Sequence, residues 1–371
     1  MDYSLLFEPA DLKKIQLKNR LVMAPMTTIS GEEDGSFSEQ EIQYLGQRAE
    51  DGIGMIMTPA CYSHKSGHAF QRQVGCHSDA MLNGLTRCAE AINKHGAASI
   101  LQIHHGGNAA KSEYTNSEVL APSAVKNRRG TSDLPKAMTE DEIKMIIDSF
   151  GKAAGRAKKA GFTGIEIHGA NTYLLQQFFS PFTNRRRDQW GGDVDQPGRN
   201  LFENRSRFAR EIIKAIRAEV GDDYPISYRI SPEESDPLGY STKDTIALLK
   251  IIVPYGIDFI HVSSWDYHKG LRSDVPSGTN PTMMIKNAFP YMPVIGVGGV
   301  MTPDDALSVR KQVEFVAMGK VLMLEKDWVK KVKSGDTDKI RLAITSEEER
   351  NQLAIPDRMK EYSKHFFKLD T

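Results

Sequence analysis

Eight short apolar runs, each too brief for a helix and rich in Val, Ile or Met, recur along most of this chain. They are Arg20 to Thr27, Gly54 to Thr58, Ala98 to His104, Gly164 to His168, Pro225 to Ile230, Ile257 to Ser263, Pro293 to Val297 and Glu314 to Met318. Helix-period segments fill the intervals. That alternation calls for parallel strands joined by crossover helices. Eight such units predict a closed α/β architecture, the (β/α)8 TIM barrel, better than an open sheet. The 371 residues exceed the roughly 250 such a barrel needs, so one domain with extended βα loops accommodates them. Residues 1–325 read as the barrel with an N-terminal cap. Residues 326–371 read as a charged C-terminal arm, helical from about Arg350 to Phe366, within the same domain or serving as an oligomer contact.

The intervening segments carry helix signals. Ser38 to Glu41 is a capping box opening a helix to about Glu50. Thr139 to Glu142 is another, followed by Ile143, Ile146, Ile147 and Phe150 at helical spacing and closed by Gly161. Asn200 to Val220 forms a third helix, ended by Gly221. Thr242 caps a fourth that Pro254 stops, and Thr302-Pro303 opens a fifth with acids in its first turn.

Composition narrows the function. Lys+Arg and Asp+Glu both total 48, which offers nothing for nucleic acid or an anionic membrane surface. The runs Arg128-Arg129 and Arg185 to Arg187 read as solvated loop charge. The first residues lack a basic stretch followed by an apolar one, and no stretch approaches the ~20 apolar residues of a membrane span. Cys61, Cys76 and Cys88 form no CxxC pair and match no zinc or iron–sulfur spacing. A reduced, cytoplasmic protein is expected.

In a barrel of this kind the site forms from loops after the strands. Three of those connections are long: Gly106 to Lys136, Gly169 to Gly198 and Ser264 to Pro281. They read as walls and lids of a pocket. Glycines follow the seventh and eighth strands at Gly298, Gly299 and Gly319, with Lys320 beside the last. Such turns let backbone N–H groups approach a phosphate. His168 and Asn171, just past the fourth strand, can offer two donors to one carbonyl oxygen, and Tyr173 a proton. The same residues also fit a satisfied histidine beside a turn asparagine. Gln102 and Arg229 are polar on apolar strands. Arg229 suits either an internal ion pair or a cofactor that becomes anionic on reduction. His104 and His105 are strand neighbours pointing to opposite faces, so they cannot readily share a metal ion, and no metal site is expected.

Taken together, these residues resemble the Old Yellow Enzyme family of FMN-containing ene reductases, from about Leu5 to about Glu325. The matching pieces are Leu17 to Thr27, Gln102 to Gly107, Ala121-Pro122-Ser123, Ala160-Gly161-Phe162, Ile165 to Asn171 with Tyr173-Leu174, Ser180-Pro181 with Asn184-Arg185, Asp188, Trp190 to Gly192, and the turns at Gly298 and Gly319. The resemblance implies FMN over the barrel mouth. Pro25, Met26 and Thr27 would line the ring, Ala60 would pack near it, and Gln102 would bond its pyrimidine edge. Arg229 would favour the anionic reduced form, and Gly298, Gly299, Gly319 and Lys320 would hold the phosphate. His168 and Asn171 would bind the substrate oxygen, with Tyr173 as proton donor. NADH or NADPH would reduce the flavin, and an α,β-unsaturated carbonyl compound would then take the electrons. A homo-oligomer is also implied.

Some positions depart from the family pattern. Lys320 stands where Arg is usual, losing the planar fork. Thr27 stands where one branch has a redox-tuning Cys, and Ile29 where that branch has an active-site Tyr. Asp193 to Asn200 reads as an insertion. The cysteine cluster and second nucleotide-binding region of larger relatives are lacking, so electron delivery from an in-chain second cofactor is not expected. Rival readings are a flavin-free phosphate-binding aldolase or isomerase, a non-catalytic flavin-binding protein, or the same chemistry on nitro compounds, quinones or dienoyl thioesters. For the flavin-free rival Glu166 is the available carboxylate base, read as out of alternation with His168.

Overall fold

A computed structural model describes residues 1–127, 133–192, 201–270, 280–344 and 346–363. Eight parallel strands close on themselves: β1 (Leu21–Met23), β2 (Met55–Met57), β3 (Ala98–His104), β4 (Gly164–Gly169), β5 (Ile226–Ile230), β6 (Phe259–Ser263), β7 (Val294–Val297) and β8 (Phe315–Met318). Each pairs in parallel with its sequence neighbour, and β8 returns to β1. The predicted (β/α)8 barrel is borne out, with every expected strand present. The runs beginning at Pro225 and Pro293 each lose their proline, which has no N–H for the ladder.

Strand residues alternate between two cores. Outward residues such as Leu101, Ile103, Ile165, Ile167 and Tyr228 join the larger cluster beneath the helices. Inward residues Val22, Ala24, Met55, Met57, Ala98, Ile100, Phe259, Ile295, Phe315 and Ala317 fill the barrel. A hairpin of Ala10–Leu12 against Ile15–Leu17 adds Leu12, Ile15 and Leu17 to that inner cluster. The lower barrel is therefore packed solid, as the fold requires, and chemistry is confined to the opposite mouth.

Outside lie helices Glu39–Glu50, Leu82–Asn93, Glu140–Lys159, Leu201–Val220, Thr242–Ile252, Pro281–Ala288 and Pro303–Arg310. The capping boxes at Thr139/Glu142 and Thr302/Asp305 are both reciprocal. Two expectations need correcting. Ser38 accepts the Glu41 N–H, but the Glu41 side chain does not return; it turns inward and is fully buried. The cap of Thr242–Ile252 is Ser241, paired with Asp244, and Thr242 is its first helical residue.

Arg186 also departs from the solvated reading. Its Nη1 donates to the carbonyls of Pro122 and Met138, tying two mouth loops together. Among the described residues, the end of the arm is not the single helix expected to start at Arg350. It forms Glu347–Gln352 and Asp357–Ser363, broken at Ala354, whose φ of 47° is left-handed, and Pro356. Phe366, the Asp193 to Asn200 insertion and Arg128-Arg129 lie outside the described residues.

Candidate active site at the barrel mouth

Toward the C-terminal ends of β3 to β6 the inward side chains change from apolar to polar. They are Gln102 and His104 on β3, Glu166 and His168 on β4, Ser227 and Arg229 on β5, and His261 on β6, all buried. The opposite half of the mouth stays apolar, with Ala24, Met57, Ile295, Val297 and Ala317. Glu166 precedes His168 by two residues, so the two share the inward face, contrary to the expected alternation. A strand's period of two marks Ser227 and His261 by the signal that picked out Gln102 and Arg229, yet sequence reading missed them.

Both carboxylate oxygens of Glu166 are hydrogen-bonded. Its Oε1 accepts from Gln102 Nε2 at 2.7 Å, and its Oε2 accepts from Ser227 Oγ at 2.9 Å and His261 Nδ1 at 2.8 Å. Burial by itself would raise this carboxyl. The donors on His261 and Gln102 and the charge of Arg229 outweigh burial and hold it below the usual carboxylate range. His261 is pushed down by burial, which Glu166 offsets only in part.

Arg229 is barely satisfied. Its Nη1 donates to Pro25 O at 3.3 Å, while Nε is buried without a partner. Among the described residues it makes no direct carboxylate contact, so the internal ion-pair reading is not what the side chain shows. Its strand neighbours in register are His168 and His261.

His168 accepts the Ala170 N–H on Nδ1 at 3.3 Å. That bond places the ring proton on Nε2. Burial first, then His104 and Arg229, hold its pKa well below the ordinary value, so the ring is neutral. Its ring meets Tyr173 edge-on at 4.9 Å between centroids. Tyr173 also packs edge-on to His104 at 4.4 Å. His104 is pushed down to about 3 by burial; Gln73 Nε2 lies 3.0 Å from its Nδ1, and its Nε2 is buried without a partner. His105 faces away, near Ser66 Oγ at 3.0 Å. Among the described residues no group of three or more His, Cys, Asp or Glu could hold a metal ion.

Asn171 sits round a tight turn. It and Thr172 both have left-handed backbones, φ 57° and 65°. That is costly for a β-branched threonine and typical of functional sites. The turn is held by Asn171 N–H to Ser231 Oγ at 2.8 Å and Thr172 N–H to Gln176 Oε1 at 2.9 Å. Asn171 Oδ1 accepts from Ser263 Oγ at 3.0 Å, which directs the Nδ2 end elsewhere as a donor. Asn171 lines a cavity of about 290 Å3 with Thr172, Phe182, Ser231, Ser263 and the exposed Trp265. His168 and Tyr173 do not line it.

Apart from Gln102 and Arg229 on the polar half, the expected cofactor residues fall on the apolar half and the loops above it. Pro25, Met26 and Thr27 follow β1, and Ile29 has φ 48°. Ala60 follows β2, and its carbonyl accepts Gln73 Nε2 at 2.8 Å. Gly298 and Gly299 follow β7 with φ of 134° and 70°. A Cβ on Gly298 would lie 2.7 Å from Tyr267 N. Gly319 and Lys320 follow β8, and a Cβ on Gly319 would lie 3.0 Å from Met26 Sδ. Lys320 is exposed and opens the short helix Lys320–Leu324.

A solid parallel barrel with a polar half-mouth and glycine turns after β7 and β8 defines an α/β-barrel enzyme that binds a phosphorylated cofactor. Residues 5–339 match the NADH:flavin oxidoreductase / NADH oxidase family, and the chain belongs to that family. It is an FMN-dependent oxidoreductase using NADH or NADPH, and the resemblance to Old Yellow Enzymes is borne out. The chain is 36% identical over 346 residues to the probable NADH-dependent flavin oxidoreductase YqiG of Bacillus subtilis, covering 92% of this chain and 91% of that protein. It is 36% identical over 361 residues to the NADH:fumarate oxidoreductase of Klebsiella pneumoniae, covering 94% of this chain but 37% of that protein. Morphinone reductase in complex with tetrahydroNAD superposes with a TM-score of 0.77 at 25% identity, covering 95% and 96% of the two chains. The flavin-free aldolase or isomerase reading falls with this family membership.

Proposed function

We propose that this enzyme reduces the activated C=C bond of α,β-unsaturated carbonyl compounds. FMN supplies the two-electron carrier between nicotinamide and substrate. The chain's residues fit that cofactor. Pro25, Met26, Thr27, Ala60 and Gln102 would meet the ring, and Arg229, with a buried and unpartnered Nε, would meet its charged edge. Gly298, Gly299, Gly319 and Lys320 would hold the phosphate, in a cradle that added side chains would crowd at Gly298 and Gly319.

His168 carries the reading. A neutral imidazole whose Nδ1 is occupied presents Nε2–H as a donor to the substrate oxygen. Asn171 Nδ2 would donate to the same oxygen, and polarising it draws electron density from the β-carbon. Tyr173, packed against His168, would deliver the proton to the α-carbon. A relative named for fumarate reduction supports an alkene as acceptor. The buried free thiols Cys61, Cys76 and Cys88 support a reducing, cytoplasmic setting.

Replacing His168 with Ala tests this directly. Losing one oxyanion-type donor typically costs on the order of a hundredfold in rate. His168→Ala should retain FMN and remain reducible by NADH, while reoxidation by an enone slows by about that factor. Reoxidation at the wild-type rate would refute the role.

A further inference from the structure

We propose that Glu166 sets the reduction potential of the bound flavin, acting as a fixed buried anion that opposes Arg229 beneath the barrel mouth. The inference deepens the functional reading above and rests on its placement of Arg229 beside the cofactor.

Glu166 and Arg229 are both buried, on adjacent strands and the same inward face. Their hydrogen bonding is opposite in kind. The carboxylate has three donors, from three different strands, and none of them is Arg229. The guanidinium has one 3.3 Å bond to a carbonyl and an unpartnered Nε. A merely structural ion pair would dock the two groups. Here Gln102, Ser227 and His261 hold the anion in place one layer down. The cation is left to serve something above it.

A buried charge acts over several ångströms, because little water intervenes. Arg229 would favour the extra negative charge that the cofactor gains when a hydride, two electrons and one proton, arrives. Glu166 subtracts from that effect. Glu166 is therefore a positioning residue for charge and touches no substrate.

Glu166→Gln keeps the shape and an acceptor for Gln102 while deleting the charge. The potential should rise, by on the order of tenfold in the ratio of affinities for reduced over oxidised FMN, about 30 mV for a two-electron couple. Glu166→Asp keeps the charge and should stay near the wild-type potential. Arg229→Met should shift it the other way. An unchanged or lowered potential in Glu166→Gln overturns the proposal. So does a folded Glu166→Gln protein that no longer retains oxidised FMN, since Glu166 would then be scaffold. If the glutamine variant does not fold, Glu166→Asp decides: a rise of the size predicted for Glu166→Gln makes geometry the cause and overturns the idea. A potential indifferent to Arg229→Met would instead sink the parent placement of Arg229.

Discussion

Glu41 shows how a single residue can be legible in kind and misread in use. Its position three residues after Ser38 marks a capping box. The carboxyl instead accepts a hydrogen bond from the Thr28 hydroxyl, in the loop that carries Thr27 and Ile29, and its other oxygen is buried without a partner. Nothing in local spacing reveals a tertiary partner that competes with the cap. Burial, opposed by the Thr28 bond, raises the pKa to about 7. The folded protein therefore binds a proton that the unfolded chain releases near the ordinary glutamate value of 4.5. Stability attributable to this group is intact below that value and falls as pH rises toward 7. Glu41→Gln should remove this slope. Relative to wild type it should gain up to about 3 kcal/mol above neutral pH and converge at low pH. Urea midpoints measured from about pH 4 to about pH 8 check this, and parallel curves for the two proteins would contradict it.

Among the elements, the barrel strands were fully legible, because residues buried on both faces read as apolar runs. The mouth loops were not, because their geometry depends on contacts between distant segments. Gln177 illustrates this. The two N–H groups of its Nε2 are shared among Gly106 O, Asn108 Oδ1 and Thr172 O, and its Oε1 accepts the Asn108 N–H. One amide thereby pins the loop after β3 to the strained turn bearing Asn171. Gly107 makes room for it. Its φ is 58°, and a Cβ there would lie 2.1 Å from Gln177 Oε1. Gly107→Ala should cost about 2–4 kcal/mol, from the left-handed backbone and the displaced amide together. It should also lower kcat/KM by loosening the Asn171 turn. A thermal melt and steady-state kinetics test both; an alanine variant equal to wild type in each would remove Gly107 and Gln177 from the account.

For the molecule as a whole, strand order was enough to put the candidate residues at one end, because a parallel barrel presents the C-terminal ends of all its strands there. His168, Asn171, Tyr173, Gln102 and Arg229 could be placed at that end from strand position alone. The network beneath them could not be ranked from sequence, since which buried polar groups pair across strands depends on register. The C-terminal arm was the least legible part. Read as part of the same domain or as an oligomer contact, it packs onto its own barrel: Arg48 Nη2 donates to Leu353 O at 2.9 Å, and Arg358 Nη1 to Gly31 O at 2.9 Å. Arg48 also reaches Leu322 O, in the helix that Lys320 opens. The most direct test of the central claim is anaerobic stopped-flow spectroscopy of the FMN-loaded enzyme. After reduction by NADH, mixing with 2-cyclohexenone or acrylate should restore the oxidised flavin spectrum and yield one equivalent of saturated product. A flavin that stays reduced with every activated alkene, yet reoxidises with a quinone or nitro compound, would contradict it.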